Sequence, residues 1–367
     1  MKNACIALKK AIAVSDHKIF SGLKVVEDVG YFFDEIRILR ITEESYVKSV
    51  FNAFKTEFNN LFVICDQNEL VFTKNYALSA LGEKSCVGDF GSYAVYDNEN
   101  TTLFVFSLEA LIAKDSNLKS FIKTYLDKKH GLAFERIVLR AIGANETHIQ
   151  QLLTEAKRIA NDKLSYRYNR KYDEAVIEIF YGNETPKMLI DHILRLFAEG
   201  LGDTMYALED IPIEVQLINS LKLRKKKLSV AESFTGGGIA KRIVSVSGAS
   251  EVYFEGLNTY NEQSKISRLG VGNFTLNSFG AVSEKTAYEM ALGLLNTNKC
   301  DLAIASTGIA GPKTDRNMSP VGLCYLAVGT KERILVYRYK FDGTREEITE
   351  KAINYALFLA YKQLNSI

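Results

Sequence analysis

The 367-residue chain has no tryptophan, four prolines and four histidines. The histidines are His17, His130, His148 and His192, so any chemistry beyond position 192 must use a base other than imidazole. The prolines are Pro186, Pro212, Pro312 and Pro320, which leaves the first half without any. The five cysteines, Cys5, Cys65, Cys86, Cys300 and Cys324, are odd in number, scattered, and form no C-x-x-C pair. That pattern argues for reduced thiols and against a disulfide framework or a zinc site. No stretch approaches the roughly 20 apolar residues of a membrane span, and the opening MKNACIALKKAIAV lacks an apolar region followed by a cleavage signal. The expected location is the cytoplasm, with no membrane partner. Charge of one sign is not in excess: 46 Lys and Arg face 44 Asp and Glu, for a net +2. Bulk electrostatics therefore point to no nucleic-acid partner, and leave room for a small phosphorylated ligand at a local site.

What is present is ordinary globular material, 47% hydrophobic and 25% charged, at a length that implies two or three cores. Residues 1–130 alternate short apolar runs (Leu61–Cys65, Thr102–Phe106) with a helical pattern over Tyr46–Phe58, which predicts an α/β layer. Residues 131–208 read as a small α+β module in β-α-β-α order: strand Phe134–Leu139, helix His148–Asn161, strand Glu174–Tyr181, and a helix from Pro186 to Leu201. A connector follows, with Pro212 and the basic run Lys222–Lys227, read as solvated. Residues 209–367 form the third domain. Strands are predicted at Leu228–Ala231, Asp301–Ser306, Val321–Val328 and Ile334–Phe341. Helices are predicted at Gly236–Val246, at Ala287–Leu295 with Ser283 as its N-cap, and at Thr344–Leu364. The expected fold class is α/β, with a three-layer α/β C-terminal domain whose ligands bind beyond the carboxyl ends of the strands.

Two glycine-rich loops stand at strand ends in this last third. In Ala231-Glu232-Ser233-Phe234-Thr235-Gly236-Gly237-Gly238 a serine is followed by glycines opening a helix. Amides around Thr235, Gly236 and Gly237 at a helix start suit an anion or a developing oxyanion. On this motif alone, a plain strand-to-helix turn capped by Ser233 is the simpler reading. The segment is neither a P-loop nor a G-x-S-x-G elbow. The second loop, Ser306-Thr307-Gly308-Ile309-Ala310-Gly311-Pro312, can offer backbone amides and the Thr307 hydroxyl to a phosphate or carboxylate, or can be a tight turn. Were Ser233 a nucleophile, lysine is the remaining base, provided burial lowers its pKa. Lys265 and the phenol of Tyr260 lie together in Tyr260-Asn261-Glu262-Gln263-Ser264-Lys265; taken singly, each also reads as a structural residue. Arg345, just past a strand, can fork onto a phosphate or stay solvated.

In order and spacing these residues resemble the C-terminal domain of the CinA (competence/damage-inducible protein) family. Its pattern runs A-E-S-C-T-G-G, G-x-x-x-Y with Lys five residues on, G-A-V-S, T-G-I-A-G-P, P-V-G and F-x-G-x-R. Here AESFTGG starts at Ala231, GLNTYNEQSK ends at Lys265, GAVS starts at Gly280, TGIAGP at Thr307, PVG at Pro320 and FDGTR at Phe341. The enzymatic members are nicotinamide-nucleotide amidases. The resemblance implies hydrolysis of the carboxamide of nicotinamide mononucleotide to nicotinate mononucleotide and ammonia, in pyridine-nucleotide salvage. By the same resemblance Ser233 is the nucleophile, Lys265 its base, and Tyr260 a member of the proton network. Thr235, Gly236, Gly237, Thr307, Gly308 and Arg345 are substrate-site residues. No metal or cofactor is implied, and a homodimer is. The chain departs from the pattern at Phe234, at the pair Asn261-Glu262, at Ser319 and at Thr349. An alternative expectation is a non-catalytic nucleotide-binding or competence-related interaction protein, marked by nucleotide binding without hydrolysis; an amidase for another nicotinamide-like amide is a third.

Residues 131–208 resemble the family's small linker domain, most clearly at Leu139-Arg140-Ala141-Ile142-Gly143. Residues 1–130 occupy the place of its molybdopterin-biosynthesis-like domain, which carries metal-dependent ADP-ribose pyrophosphatase activity. That domain's G-G-x-G-P-T-x-D-D loop is missing, with Asp66-Gln67-Asn68-Glu69 after the Leu61–Cys65 strand. A degenerate, inactive domain is therefore expected: purified residues 1–200 given ADP-ribose and a divalent metal should show no turnover, and robust turnover overturns this.

Overall fold

The computed structural model describes residues 1–12, 17–81, 85–98, 100–113, 116–161, 163–314 and 318–365. The chain divides into two compact units, one of Met1–Arg136 with Phe180–Thr185 and the other of Ile137–Ile179 with Pro186–Ile367.

The first unit is an α/β layer. Its elements are β1 (Asn3–Lys9), α1 (His17–Glu27), β2 (Glu35–Arg40), α2 (Glu44–Glu57), β3 (Asn60–Cys65), α3 (Leu70–Leu81), β4 (Cys86–Asp89), β5 (Tyr93–Asp97), β6 (Thr102–Ser107), α4 (Leu108–Ile112) and α5 (Ser116–His130). The strand order is β2-β1-β3-β6-β5-β4, with the first four parallel and the last two antiparallel. Strands β3 and β6 are buried along their whole length, because helices cover both faces. Alternate residues feed two cores: Ile6, Val63 and Val105 join α2 and α3, while Phe62, Phe104 and Phe106 join α1, α4 and α5. Where the sequence departs from the family loop, Asp66 accepts a 2.6 Å hydrogen bond from Lys9, and Gln67–Glu69 make one tight turn.

The second unit begins with a four-stranded sheet of order β10-β7-β9-β8, made by β7 (Phe134–Ile142), β8 (Leu164–Lys171), β9 (Glu174–Gly182) and β10 (Met205–Ala207). Two helices, α6 (Glu146–Ala160) and α7 (Lys187–Leu201), share its apolar core. The expected β-α-β-α order lacks β8. That strand carries arginines among tyrosines, so its apolar signal is weak; Arg167 survives there by pairing with buried Glu178 at 2.7 Å. Tyr172 and Asp173, both at positive φ, make the two-residue turn into β9, a conformation that matches hairpin twist.

The expected solvated connector is instead largely a helix, α8 (Ile213–Arg224). Ile213, Leu217, Ile218 and Leu221 repeat at helical spacing and are fully buried. The basic run is the last turn and cap of this helix, where cations complement the helix dipole. Lys225 takes the left-handed cap conformation and Lys226 pairs with Asp301 at 3.3 Å.

The remainder is a three-layer α/β fold. It contains β11 (Leu228–Glu232), α9 (Gly238–Val244), β12 (Tyr253–Asn258), α10 (Glu262–Leu269), α11 (Asn273–Phe279), α12 (Glu284–Asn296), β13 (Leu302–Gly308), β14 (Leu323–Gly329), β15 (Ile334–Lys340) and α13 (Arg345–Asn365). The sheet order is β12-β11-β13-β14-β15; the first three strands are parallel and the last two antiparallel. Helices α8, α9 and α13 bury one face and α10, α11 and α12 the other. Ser283 caps α12 as expected, accepting from the Thr286 amide at 3.2 Å. The parallel strands β11 and β13 end side by side, which brings both glycine-rich loops to one edge.

Helices α10 and α12 touch backbone to backbone at Gly293, where an added Cβ would lie 2.1 Å from the Leu269 carbonyl oxygen. Alanine is intrinsically the better helix residue by about 1 kcal/mol, yet Gly293→Ala should destabilise the fold by about 1–3 kcal/mol through overpacking. A lower urea midpoint at unchanged slope is the expected result; an unchanged or raised midpoint contradicts the close approach.

Candidate active site

Strand β11 ends at Glu232, and Ser233 is the first residue beyond it. The turn to α9 needs Gly236 and Gly237, at φ 62° and 95°. The Glu232 side chain, 1% exposed, folds back beneath this turn. Its carboxylate accepts from the amides of Gly237 (3.1 Å), Ile239 (3.0 Å) and Ala240 (2.8 Å). Of the amides that the sequence reading offered to a ligand, those of Thr235, Gly236 and Gly237, Glu232 already occupies that of Gly237. The Gly236 amide likewise donates to the Ser233 carbonyl at 3.1 Å. The Phe234 and Thr235 amides have no acceptor among the described residues. The Thr235 hydroxyl is buried against Ser306 Oγ at 2.7 Å and holds the two loops together.

Lys265 arrives from α10, on the far side of β12. Asn261 begins that helix, its side chain accepting from the Gln263 amide at 2.8 Å, so this departure from the family pattern keeps a cap. One turn on, Lys265 is 1% exposed. Its Nζ lies 2.9 Å from Ser233 Oγ, 2.6 Å from the Thr259 carbonyl and 3.4 Å from the Tyr260 carbonyl. Burial lowers its pKa from 10.5 to about 8, against a smaller opposing effect of Glu262.

Tyr260 meets Lys265 through its backbone. Its side chain is 62% exposed, and the phenol accepts from Arg345 Nη2 at 3.4 Å. The other arm of Arg345, Nη1, donates to the Gly311 carbonyl at 2.6 Å and ties down the second loop. Thr307 is buried, its hydroxyl donating to the Ala281 carbonyl at 2.6 Å. Gly308 is required by contact, since a Cβ there would lie 2.5 Å from that of Cys324.

A cavity of about 220 Å³ collects Ser233, Lys265, Tyr260, Thr307, Gly308 and Arg345, together with Phe234 and Lys313. Three larger hollows, of about 690, 790 and 300 Å³, contain neither Ser233 nor Lys265, so chemistry rather than volume singles out the smaller. Sequence reasoning named the serine and the lysine but missed Glu232, Thr259, Ser306 and Lys313. Glu232 had a signal, an acid next to a helix-opening glycine run. The Thr259 carbonyl had none, because backbone acceptors carry no residue signature. Among the described residues no three His, Cys, Asp or Glu side chains converge as metal ligands.

Fold and site define a three-layer α/β domain with a buried serine–lysine pair at the carboxyl edge of its parallel strands. Residues 210–364 match the CinA C-terminal domain, and through that domain the chain belongs to the CinA family. A "Putative competence-damage inducible protein" of Caldicellulosiruptor saccharolyticus is 34% identical over 248 residues, 67% of this chain and 60% of the relative. A "CinA-like protein" of Kosmotoga olearia is 33% identical over 239 residues, 64% of this chain and 58% of the relative. The matched stretch thus spans about 60% of the length of these relatives. Among solved structures, competence/damage inducible protein CihA from Agrobacterium tumefaciens is 36% identical with a TM-score of 0.40, covering 44% of this chain and 99% of that one.

The buried amine has a measurable signature. With a folded-state pKa near 8 against 10.5 when unfolded, the unfolded chain binds more protons between those values, so this residue's contribution to stability rises with pH across that window. Below pH 8 its penalty is fully present, on the order of 3 kcal/mol. The stability difference between Lys265→Met and the wild type should therefore move in favour of the wild type from pH 7 to pH 10.5. Urea midpoints at several pH values measure it, and a pH-independent difference removes the basis for a depressed pKa.

Proposed function

We propose that the chain hydrolyses the carboxamide of nicotinamide mononucleotide, releasing ammonia and nicotinate mononucleotide by serine–lysine catalysis. The observation that carries this reading is the 2.9 Å contact between Lys265 Nζ and Ser233 Oγ, made out of water in a cavity with no imidazole. A neutral amine has two hydrogens and one lone pair. The carbonyls of Thr259 and Tyr260 are placed to take the hydrogens, which turns the lone pair toward the Ser233 hydroxyl. Lys265 then accepts the serine proton as Oγ bonds to the amide carbon.

The carbonyl oxygen becomes an oxyanion, for which the Phe234 and Thr235 amides are the uncommitted donors; one such donor is typically worth about 3 kcal/mol. As the tetrahedral intermediate collapses, the C–N bond breaks and the Lys265 ammonium passes its proton to the departing nitrogen, which leaves as ammonia. Water attacks the resulting ester, Lys265 takes one of its protons, and returning that proton to Ser233 Oγ frees the product as a carboxylic acid, which ionises in water to the carboxylate. Each proton that Lys265 accepts it gives back, so the amine is unchanged after a turnover. The Arg345 guanidinium, bridging the second loop and Tyr260, gives the cavity mouth the positive charge that a nucleotide requires.

The purified chain should release ammonia from nicotinamide mononucleotide. Ser233→Ala should lower kcat by at least about a thousandfold, as loss of an activated nucleophile does elsewhere. Because the base form of Lys265 predominates only above about pH 8, kcat/KM should rise with pH up to that value and then level. Full activity in Ser233→Ala, or a flat profile from pH 6 to 9, rules out the mechanism.

A further inference from the structure

Among the described residues, the candidate cavity is lined by three cationic side chains, Lys265, Lys313 and Arg345, and by no carboxylate. Their situations differ. Lys265 is buried and has three oxygen partners around its amine, one of them the nucleophile. Arg345 spends one arm on the Gly311 carbonyl and another on the Tyr260 phenol. Lys313 is exposed and has no ion-pair or hydrogen-bond partner among the described residues. It follows Pro312 on the loop that Arg345 pins at Gly311, so the backbone that carries the cation is tied down.

An ammonium without a partner among the described residues, at the wall of a pocket to which those residues bring no carboxylate, is suited to be the counter-ion for an anionic part of the substrate. The amide undergoing hydrolysis is neutral and occupies Ser233, so the anion must be elsewhere on the same molecule. Resting on the amidase reading above, we infer that Lys313 is the specificity residue that recognises the substrate's phosphate monoester. The site then selects a nucleotide over the corresponding nucleoside by that contact. Lys313 touches none of the reacting atoms, so its loss should appear in substrate binding and leave the chemical step largely intact.

The test compares the full chain with its Lys313→Gln and Lys313→Arg variants on nicotinamide mononucleotide and on nicotinamide riboside. Lys313→Gln should lower kcat/KM for the nucleotide by about 10- to 100-fold, the usual range for one charge-assisted hydrogen bond. That loss should lie mostly in KM, with the riboside unaffected and arginine restoring most of it. Equal losses on both substrates, or no loss on the nucleotide, overturn the inference. Calorimetry on Ser233→Ala with and without Lys313→Gln separates the two claims. A nucleotide affinity that falls at least about tenfold with Lys313→Gln upholds this inference even if no ammonia is ever released. An affinity independent of Lys313, or no nucleotide binding at all, overturns it.

Discussion

The amine of Lys265 is withdrawn from water without being withdrawn from hydrogen bonds, and the C-terminal domain is arranged around that fact. Two backbone carbonyls at the end of β12 and one hydroxyl at the end of β11 surround it. For those three oxygens to converge, the two strands must run parallel and end level, as their register from Leu228 with Tyr253 to Glu232 with Asn258 ensures. Helix α10 must also start immediately after β12, which the Asn261 cap secures. A lysine so enclosed can lose its proton near neutrality, whereas one in water stays charged.

The acid beside the nucleophile divides the labour at the strand end. Glu232 and Ser233 point to different destinations: the carboxylate satisfies the opening amides of α9, and the hydroxyl faces the cavity. With its helix start satisfied from within, the first loop is a rigid mount for the serine. The open positive charge belongs to the second loop and to the first residue of α13.

Much of this was legible in the sequence because its signals were periodic or chemical. The buried strands β3, β6 and β13 are apolar runs, and Ser283 precedes α12 at capping distance. Failures came where the signal was diluted or lay in the backbone. Strand β8 hid behind its arginines, of which Arg167 depends on Glu178, a partner supplied by the neighbouring strand. Helix α8 hid behind its own basic terminus, although its apolar stripe was there to be read. Tyr260 drew attention for its phenol, but its carbonyl is what reaches Lys265. The separation of 32 residues between Ser233 and Lys265 has no local signature; the linked motifs of the family supplied the pairing that spacing could not.

The enclosure of Lys265 also bears on any attempt to stabilise this domain by substitution. Replacing a desolvated amine with an apolar side chain of similar length runs downhill in folding free energy, so stability and an amine at this position pull in opposite directions. A variant stabilised by placing carbon at position 265 would lose the amine that faces the Ser233 hydroxyl.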